Sequence, residues 1–157
     1  MAEDHLDGVH RYLLLLTADS PLAEDLAAAM FEKALRAWRR YDPRRASERT
    51  WLCRIARSVA LDYFRREARR RRREEHFVSD SVWQEEALVP GAFSAELEAA
   101  LGSLTAAERE VIALRIVLDL DADAAAHVLG ISRSACSMRL ARALRKLEER
   151  MEAHAVA

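Results

Sequence analysis

Glycine and proline are scarce, four and three in 157 residues. Few stretches alternate apolar and polar residues, and Ala, Leu, Arg and Glu dominate. A sheet protein needs more turns than this chain offers, so the composition points to an all-α fold. Cysteine is rarer still. Cys53 and Cys136 both fall on apolar helix faces, which excludes a disulfide framework and suits reduced thiols in a cytoplasmic protein. The five histidines, at positions 5, 10, 76, 127 and 154, have no zinc spacing with either cysteine. Asp119 to Asp123 resembles the start of a calcium loop, but Ala124 and Gly130 stand where that loop needs Gly and Glu. No metal or cofactor is therefore expected. The absence of a nucleophile elbow, a phosphate loop and paired carboxylates argues against an enzyme. The acidic first ten residues do not read as a signal peptide. The apolar run Tyr12 to Leu16 is far too short to span a bilayer, so no membrane insertion is expected.

A formal net charge of −1 conceals strong segregation. Residues 1–32 hold seven acids and one Arg, whereas residues 36–73 hold fifteen Arg against four acids. Residues 74–110 then hold nine acids and one Arg, and residues 132–150 six bases against two acids. Two basic blocks thus alternate with two acidic ones. The basic blocks are candidate phosphate-binding surfaces, and the acidic ones suit a basic partner or a shield.

Helix signals place the elements. Ser20-Pro21 reads as a cap and first-turn proline for a helix reaching Trp38, which Tyr41-Asp42-Pro43 ends. After a polar loop to Arg49, a helix from Thr50 buries Leu52, Ile55, Ala56, Val59, Tyr63 and Phe64. It leaves Arg54, Arg57, Ser58, Leu61 and Arg65 outside and ends in the run Arg69 to Arg73. Residues 74–94 are acidic, aperiodic and broken by Pro90-Gly91, as a linker would be. Four further helices are expected: Ser94 to Leu101, Ala106 to Val117 behind the capping box Thr105 to Glu108, Ala122 to Leu129 capped by Asp121, and Arg133 to about Met151. The division is residues 1–73, a linker at 74–94, and residues 95–157. Each part is small enough to have only a modest core.

The most specific motif runs from Leu129 to Arg142. Gly130 closes one helix in the left-handed conformation, Ile131 plugs the angle, and Ser132 caps the next helix. That is the grammar of a helix-turn-helix. Cys136, Leu140, Ala143, Leu144, Leu147 and Met151 are expected to face inward. Arg133, Ser134, Ser137, Met138, Arg142 and Arg145 face outward, a set of cations and small polar groups suited to a major groove. In the other basic block, seven Arg crowd residues 65–73; the helix is either a solvated one whose Arg tail aids solubility or a nucleic-acid reader, and the self-repulsion, costly unless an anion relieves it, favours the second. With the aromatic residues Trp51, Tyr63 and Phe64 alongside, the helix suits unpaired bases as well as phosphates.

In this order, the parts resemble the two-domain, extracytoplasmic-function group of bacterial sigma factors. Ala23-Glu24-Asp25-Leu26 with Phe31 and Ala37-Trp38 resembles the polymerase-binding helix. Trp51 to Arg57, continuing to Ala60-Leu61-Asp62-Tyr63, resembles the reader of the promoter −10 element. Leu101 to Leu104, Glu108 to Arg115, Leu129 to Ser132 and Arg139 to Ala143 resemble the −35 reader. The resemblance implies two small helical domains and a non-enzymatic specificity subunit of RNA polymerase. Its implied partners are core polymerase, promoter DNA and an anti-sigma factor. The implied polymerase contacts are Asp25, Ala28, Ala29 and Glu32. The implied −10 contacts are Trp51, Arg54, Arg57, Ser58, Leu61 and Arg65, and the −35 contacts Arg133, Ser134, Ser137, Met138, Arg139 and Arg142. The loop Asp42 to Arg49 would help hold an extruded base.

The chain departs from that pattern in places. Ala28-Ala29 stands where Gln-Glu is usual, and Ser58 where Asn is common. Asp119-Leu120-Asp121 replaces Gly-Leu-Ser, and Ala124-Ala125 replaces Glu-Ile. The last change removes half a capping box and thins a small core by about 2–4 kcal/mol. A self-sufficient helix-turn-helix regulator, or a sigma-like interaction protein with weakened polymerase binding, are the alternative readings. The apolar linker residues Phe77, Val82, Trp83, Leu88, Val89 and Phe93 either dock a partner or pack back on the chain.

Overall fold

The computed structural model describes residues 2–17, 19–75 and 94–156, so the apolar linker residues lie outside the described residues. Among the described residues there are helices and no strands. They are α1 (Ala2–Thr17), α2 (Ser20–Ala37), α3 (Glu48–Glu75), α4 (Ala95–Gly102), α5 (Ala106–Ile112), α6 (Ala122–Leu129) and α7 (Arg133–Val156). A 3-10 turn at Trp38–Arg40 extends α2, and a π turn at Ala113–Val117 extends α5.

Helix α1 was not expected from the sequence. It forms because Val9, Tyr12, Leu13 and Leu16 recur at helical spacing and are all buried. Helices α1, α2 and α3 pack mutually around Leu26, Met30, Cys53, Ala56, Ala60 and Phe64. The cap of α2 is Asp19 rather than Ser20: the Asp19 carboxylate accepts from Leu22 N at 3.0 Å, and Asp19 itself is extended. The helix proper ends at Ala37 and continues through Trp38 as the 3-10 turn. Helix α3 begins at Glu48, two residues early, because the Ser47 hydroxyl accepts from Thr50 N at 3.2 Å. It also runs two residues into the segment expected as linker.

In the second half, α4, α5 and α6 all pack on α7. The capping box is present, with Glu108 N donating to Thr105 Oγ1 at 3.2 Å and Thr105 N to Glu108 Oε2 at 2.9 Å. The helix expected to reach Val117 widens after Ile112, where Leu118 N reaches back to Ala113 O. Just beyond, Asp119 sits at φ 51°, a left-handed conformation at the place where the resembling pattern carries Gly. Asp121 caps α6 alone, accepting from Ala124 N at 2.7 Å. Helix α7 runs five residues past the expected end, to Val156. Cys136 and Ala143 are buried in it and Leu140 and Leu147 partly so. Leu144 and Met151, expected inside, are exposed; Met151 lies beyond Leu147, the last α7 residue packed on the core, and Leu144 lies beside the buried Ala143 on the uncovered side.

The two halves are not separate cores. Buried residues from α1–α3 and from α4–α7 form one continuous apolar cluster, because α1 packs on α5 and the π turn while α3 packs on α6. Neither half therefore relies on its own small core, as the sequence suggested.

Candidate nucleic-acid interface

Gly130 adopts φ 66°, and both its amide and that of Ile131 turn back to the Ala126 carbonyl. This is the left-handed stop that swings the chain between α6 and α7. Ser132 Oγ accepts from Ala135 N at 3.1 Å and starts α7. Arg133, Ser134, Ser137, Met138 and Arg142 then lie exposed along α7, with Met138 at 56%. Arg139 is half-buried at the edge of this row. Arg133 Nη1 reaches Asp123 Oδ2 at 3.3 Å across the turn, an exposed pair that a phosphate could displace.

The basic helix α3 is arranged differently. Arg54, Arg57, Ser58, Leu61 and Arg65, expected to face solvent, line a groove of about 280 Å³ whose far wall is His127, Val128 and Gly130. Helix α6 closes over them, so Arg57, Ser58 and Leu61 are half-buried. Arg57 Nε donates to Glu110 Oε1 at 2.8 Å, and Glu110 is only 1% exposed. The same oxygen accepts from Tyr12 Oη at 2.7 Å. Burial first, then the neighbouring Glu110 carboxylate, pushes the Tyr12 phenol well above its ordinary value, so it stays a donor. Arg54 Nη1 lies 2.9 Å from His127 Nε2, and since a guanidinium only donates, the ring nitrogen accepts. Ser58 Oγ accepts from Lys33 Nζ at 3.1 Å.

Trp51 is not in this groove. It packs with Trp38 and Tyr41, ring centroids 5.9 and 5.0 Å away, at the end of α2. Asp25, Ala28, Ala29 and Glu32 do share one exposed face of α2. Leu35, 77% exposed, and Arg36 continue that face, and Arg36 pairs with Glu32. Sequence reasoning passed over Leu35, Glu110, His127 and Tyr12. Leu35 was legible, one turn beyond Glu32. The other three find their partners across the chain, where no local pattern reports them.

The charged triplet that opens α5 is buried with all its needs met. Burial pushes the Glu108 carboxyl up, but the Lys146 ammonium at 2.7 Å and the Thr105 cap outweigh it and hold the group below its ordinary value. Arg109 Nη1 donates to Leu104 O at 2.7 Å. On α3, burial pushes the Cys53 thiol up to about 12. Among the described residues no His, Cys, Asp and Glu cluster suits a metal ion, and no helix is long and apolar enough to cross a membrane.

Comparison with known proteins matches both halves of the chain. The Sigma-70 region 2 family matches residues 1–70, and the Sigma-70, region 4 family matches residues 94–147. The ECF RNA polymerase sigma factor SigX of Bacillus subtilis (strain 168) is 28% identical over 155 residues, spanning 92% of this chain and 78% of SigX. SigM of the same organism is 29% identical over 152 residues, spanning 92% of this chain and 88% of SigM. Among solved structures, the sigma factor RpoE in complex with the anti-sigma factor NepR, from Bartonella quintana, superposes with a TM-score of 0.77 at 21% identity, covering 94% of this chain and 92% of RpoE. CnrH, in complex with the cytosolic domain of CnrY, superposes with a TM-score of 0.67 at 26% identity, covering 96% of this chain and 84% of CnrH. With both halves matched in order and an all-helical fold, the chain belongs to the extracytoplasmic-function group of the sigma-70 family of RNA polymerase sigma factors.

Proposed function

We propose that the protein is a dissociable specificity subunit that directs RNA polymerase to promoters carrying particular −10 and −35 elements. In this reading residues 1–73 bind core polymerase and the −10 element, residues 74–94 link, and residues 95–157 bind the −35 element. The exposed α2 face around Asp25, Ala28, Ala29 and Glu32 docks on core polymerase. Arg54, Arg57, Ser58, Leu61 and Arg65, with Trp51 at the helix start, engage the opened −10 region. The exposed α7 row of Arg133, Ser134, Ser137, Met138 and Arg142, edged by Arg139, enters the −35 major groove. The subunit catalyses nothing itself and works in the cytoplasm. RpoE is seen with an anti-sigma factor and CnrH with the cytosolic domain of CnrY, and we extend an anti-sigma partner to this chain.

The observation that carries this reading is the pairing, in one chain, of a helix-turn-helix, its turn closed by Gly130 in the left-handed conformation and its second helix presenting an exposed basic row, with another helix whose arginines line a groove. Run-off transcription with purified core polymerase on genomic promoters tests it. Discrete products dependent on the added protein are expected, and their absence on every promoter overturns the reading. Tight, salt-sensitive binding to duplex DNA without polymerase would instead identify a self-sufficient regulator.

A further inference from the structure

We propose that Met138 selects a thymine in the −35 element by packing against its 5-methyl group. The inference rests on the reading of α7 as the −35 helix. Met138 lies in the second turn of α7, within the part of a recognition helix that meets base edges. Cys136, with no exposure, anchors the inner side of this stretch, and the Ser132 cap holds the helix start. The fold thus sets the outward direction of the row, and on it Met138 is 56% exposed.

The surroundings of Met138 decide what it can meet. Ser134 stands one turn before it and Arg142 one turn after it, with Ser137 and Ala141 alongside, all exposed. Beside such short neighbours the thioether is the longest uncharged side chain of the row, and its unbranched stem can follow an uneven surface. A protein-docking patch would continue the apolar surface, whereas here it stops at serines and a cation. From Arg133 to Leu147 the helix carries no carboxylate, so the ground around Met138 is cationic and complements the phosphates that flank a groove. The floor of the major groove is mostly hydrogen-bonding groups, and the thymine methyl is its prominent apolar feature. Met138 offers one weakly accepting sulfur. Against an adenine or guanine edge it would strip water from polar atoms without replacing the lost bonds. Against thymine, two apolar groups leave water together. Met138 therefore carries sequence information at one position, while the arginines around it hold phosphates whatever the sequence.

Uracil, which is thymine without the methyl group, tests the contact. Holoenzyme is assembled from core polymerase and the full chain on a promoter that gives run-off product. The −35 thymines of both strands are then replaced by uracil one at a time, and affinity is read by competition with the labelled, unmodified promoter. Uracil at one position is expected to weaken wild-type binding about fourfold, the scale of returning one methyl group to water. Met138→Ala holoenzyme should bind the thymine and uracil versions equally, and Met138→Leu should keep the preference, which couples the side chain to the methyl group. Uracil tolerated at every −35 position by the wild type overturns the contact. So does a uracil penalty that persists in Met138→Ala, or a −35 element without thymine. Each of these results leaves run-off transcription intact, so the contact fails separately from the sigma-factor reading. A chain that gives no run-off product on any promoter overturns both.

Discussion

Helices α3 and α7 carry the same kind of residues, proposed for the same kind of ligand, yet they meet their surroundings in opposite ways. The row on α7 is exposed, and its one described ion pair, Arg133 with Asp123, lies in solvent. The middle of the row on α3 is roofed by α6, and its central guanidinium is bonded to a carboxylate that solvent barely reaches. An exposed arginine can be spared by the fold, whereas a roofed one is part of it. In this chain the −35 candidate contacts other than Arg139 are surface features, whereas the −10 candidate Arg57 is also structural.

The sharpest way to break this contrast is to remove one arginine from each row. Arg57→Ala strands Glu110 with Tyr12 alone and should cost about 2–4 kcal/mol of unfolding free energy, read by denaturant titration. Arg142→Ala should change stability by less than about 0.5 kcal/mol, yet weaken promoter binding by the polymerase complex by about 1–3 kcal/mol. Equal stability losses for the two would erase the distinction. Asp119→Gly acts on the bend between the π turn and α6. By relieving the left-handed φ of 51°, it should add about 1 kcal/mol of stability, visible as a raised melting temperature.

Acid gives a smaller effect with a definite sign. Glu108 is held below its ordinary 4.5, so its stabilisation is present in full above that pH and disappears as pH falls through the lowered value. Thermal melts of Glu108→Gln should therefore differ from wild type at neutral pH and converge with it in acid. Smallest of all is the response of Cys53. With its thiol pushed up to about 12 and no exposure, it should resist iodoacetamide at mildly alkaline pH until denaturant opens the fold.

The sequence was most legible where causes are local. Thr105 and Glu108, Asp121, Gly130 and Ser132 each act within about one helical turn, and each occupies the role its residue type indicates. The candidate −35 row was readable for the same reason, since α7 periodicity alone separates Arg133 and Ser137 from Cys136. Even there, Leu144 and Met151 broke the pattern, because periodicity shows which face is apolar and not which of its residues a neighbouring helix covers. The α3 face failed more deeply. Its periodicity put Arg54 and Arg57 outside the three-helix half, which is true, but their partners lie 73 and 53 residues away. Tyr12 and Glu110 are 98 residues apart, and nothing near either marks the other. Helix α1 is different again: its stripe of Val9, Tyr12, Leu13 and Leu16 stands at helical spacing in the sequence, yet the contiguous run Tyr12 to Leu16 masks the stripe by reading as an apolar stretch too short for a bilayer.

The aromatic cluster at the end of α2 makes the protein its own optical reporter. Of the chain's three tryptophans, Trp38 and Trp51 stack with Tyr41 beside the face proposed to dock on polymerase, and Trp38 is 51% exposed. Replacing Trp83 with Phe would leave an indole pair whose emission colour tracks the water around Trp38, so docking could be followed in real time without attaching any dye.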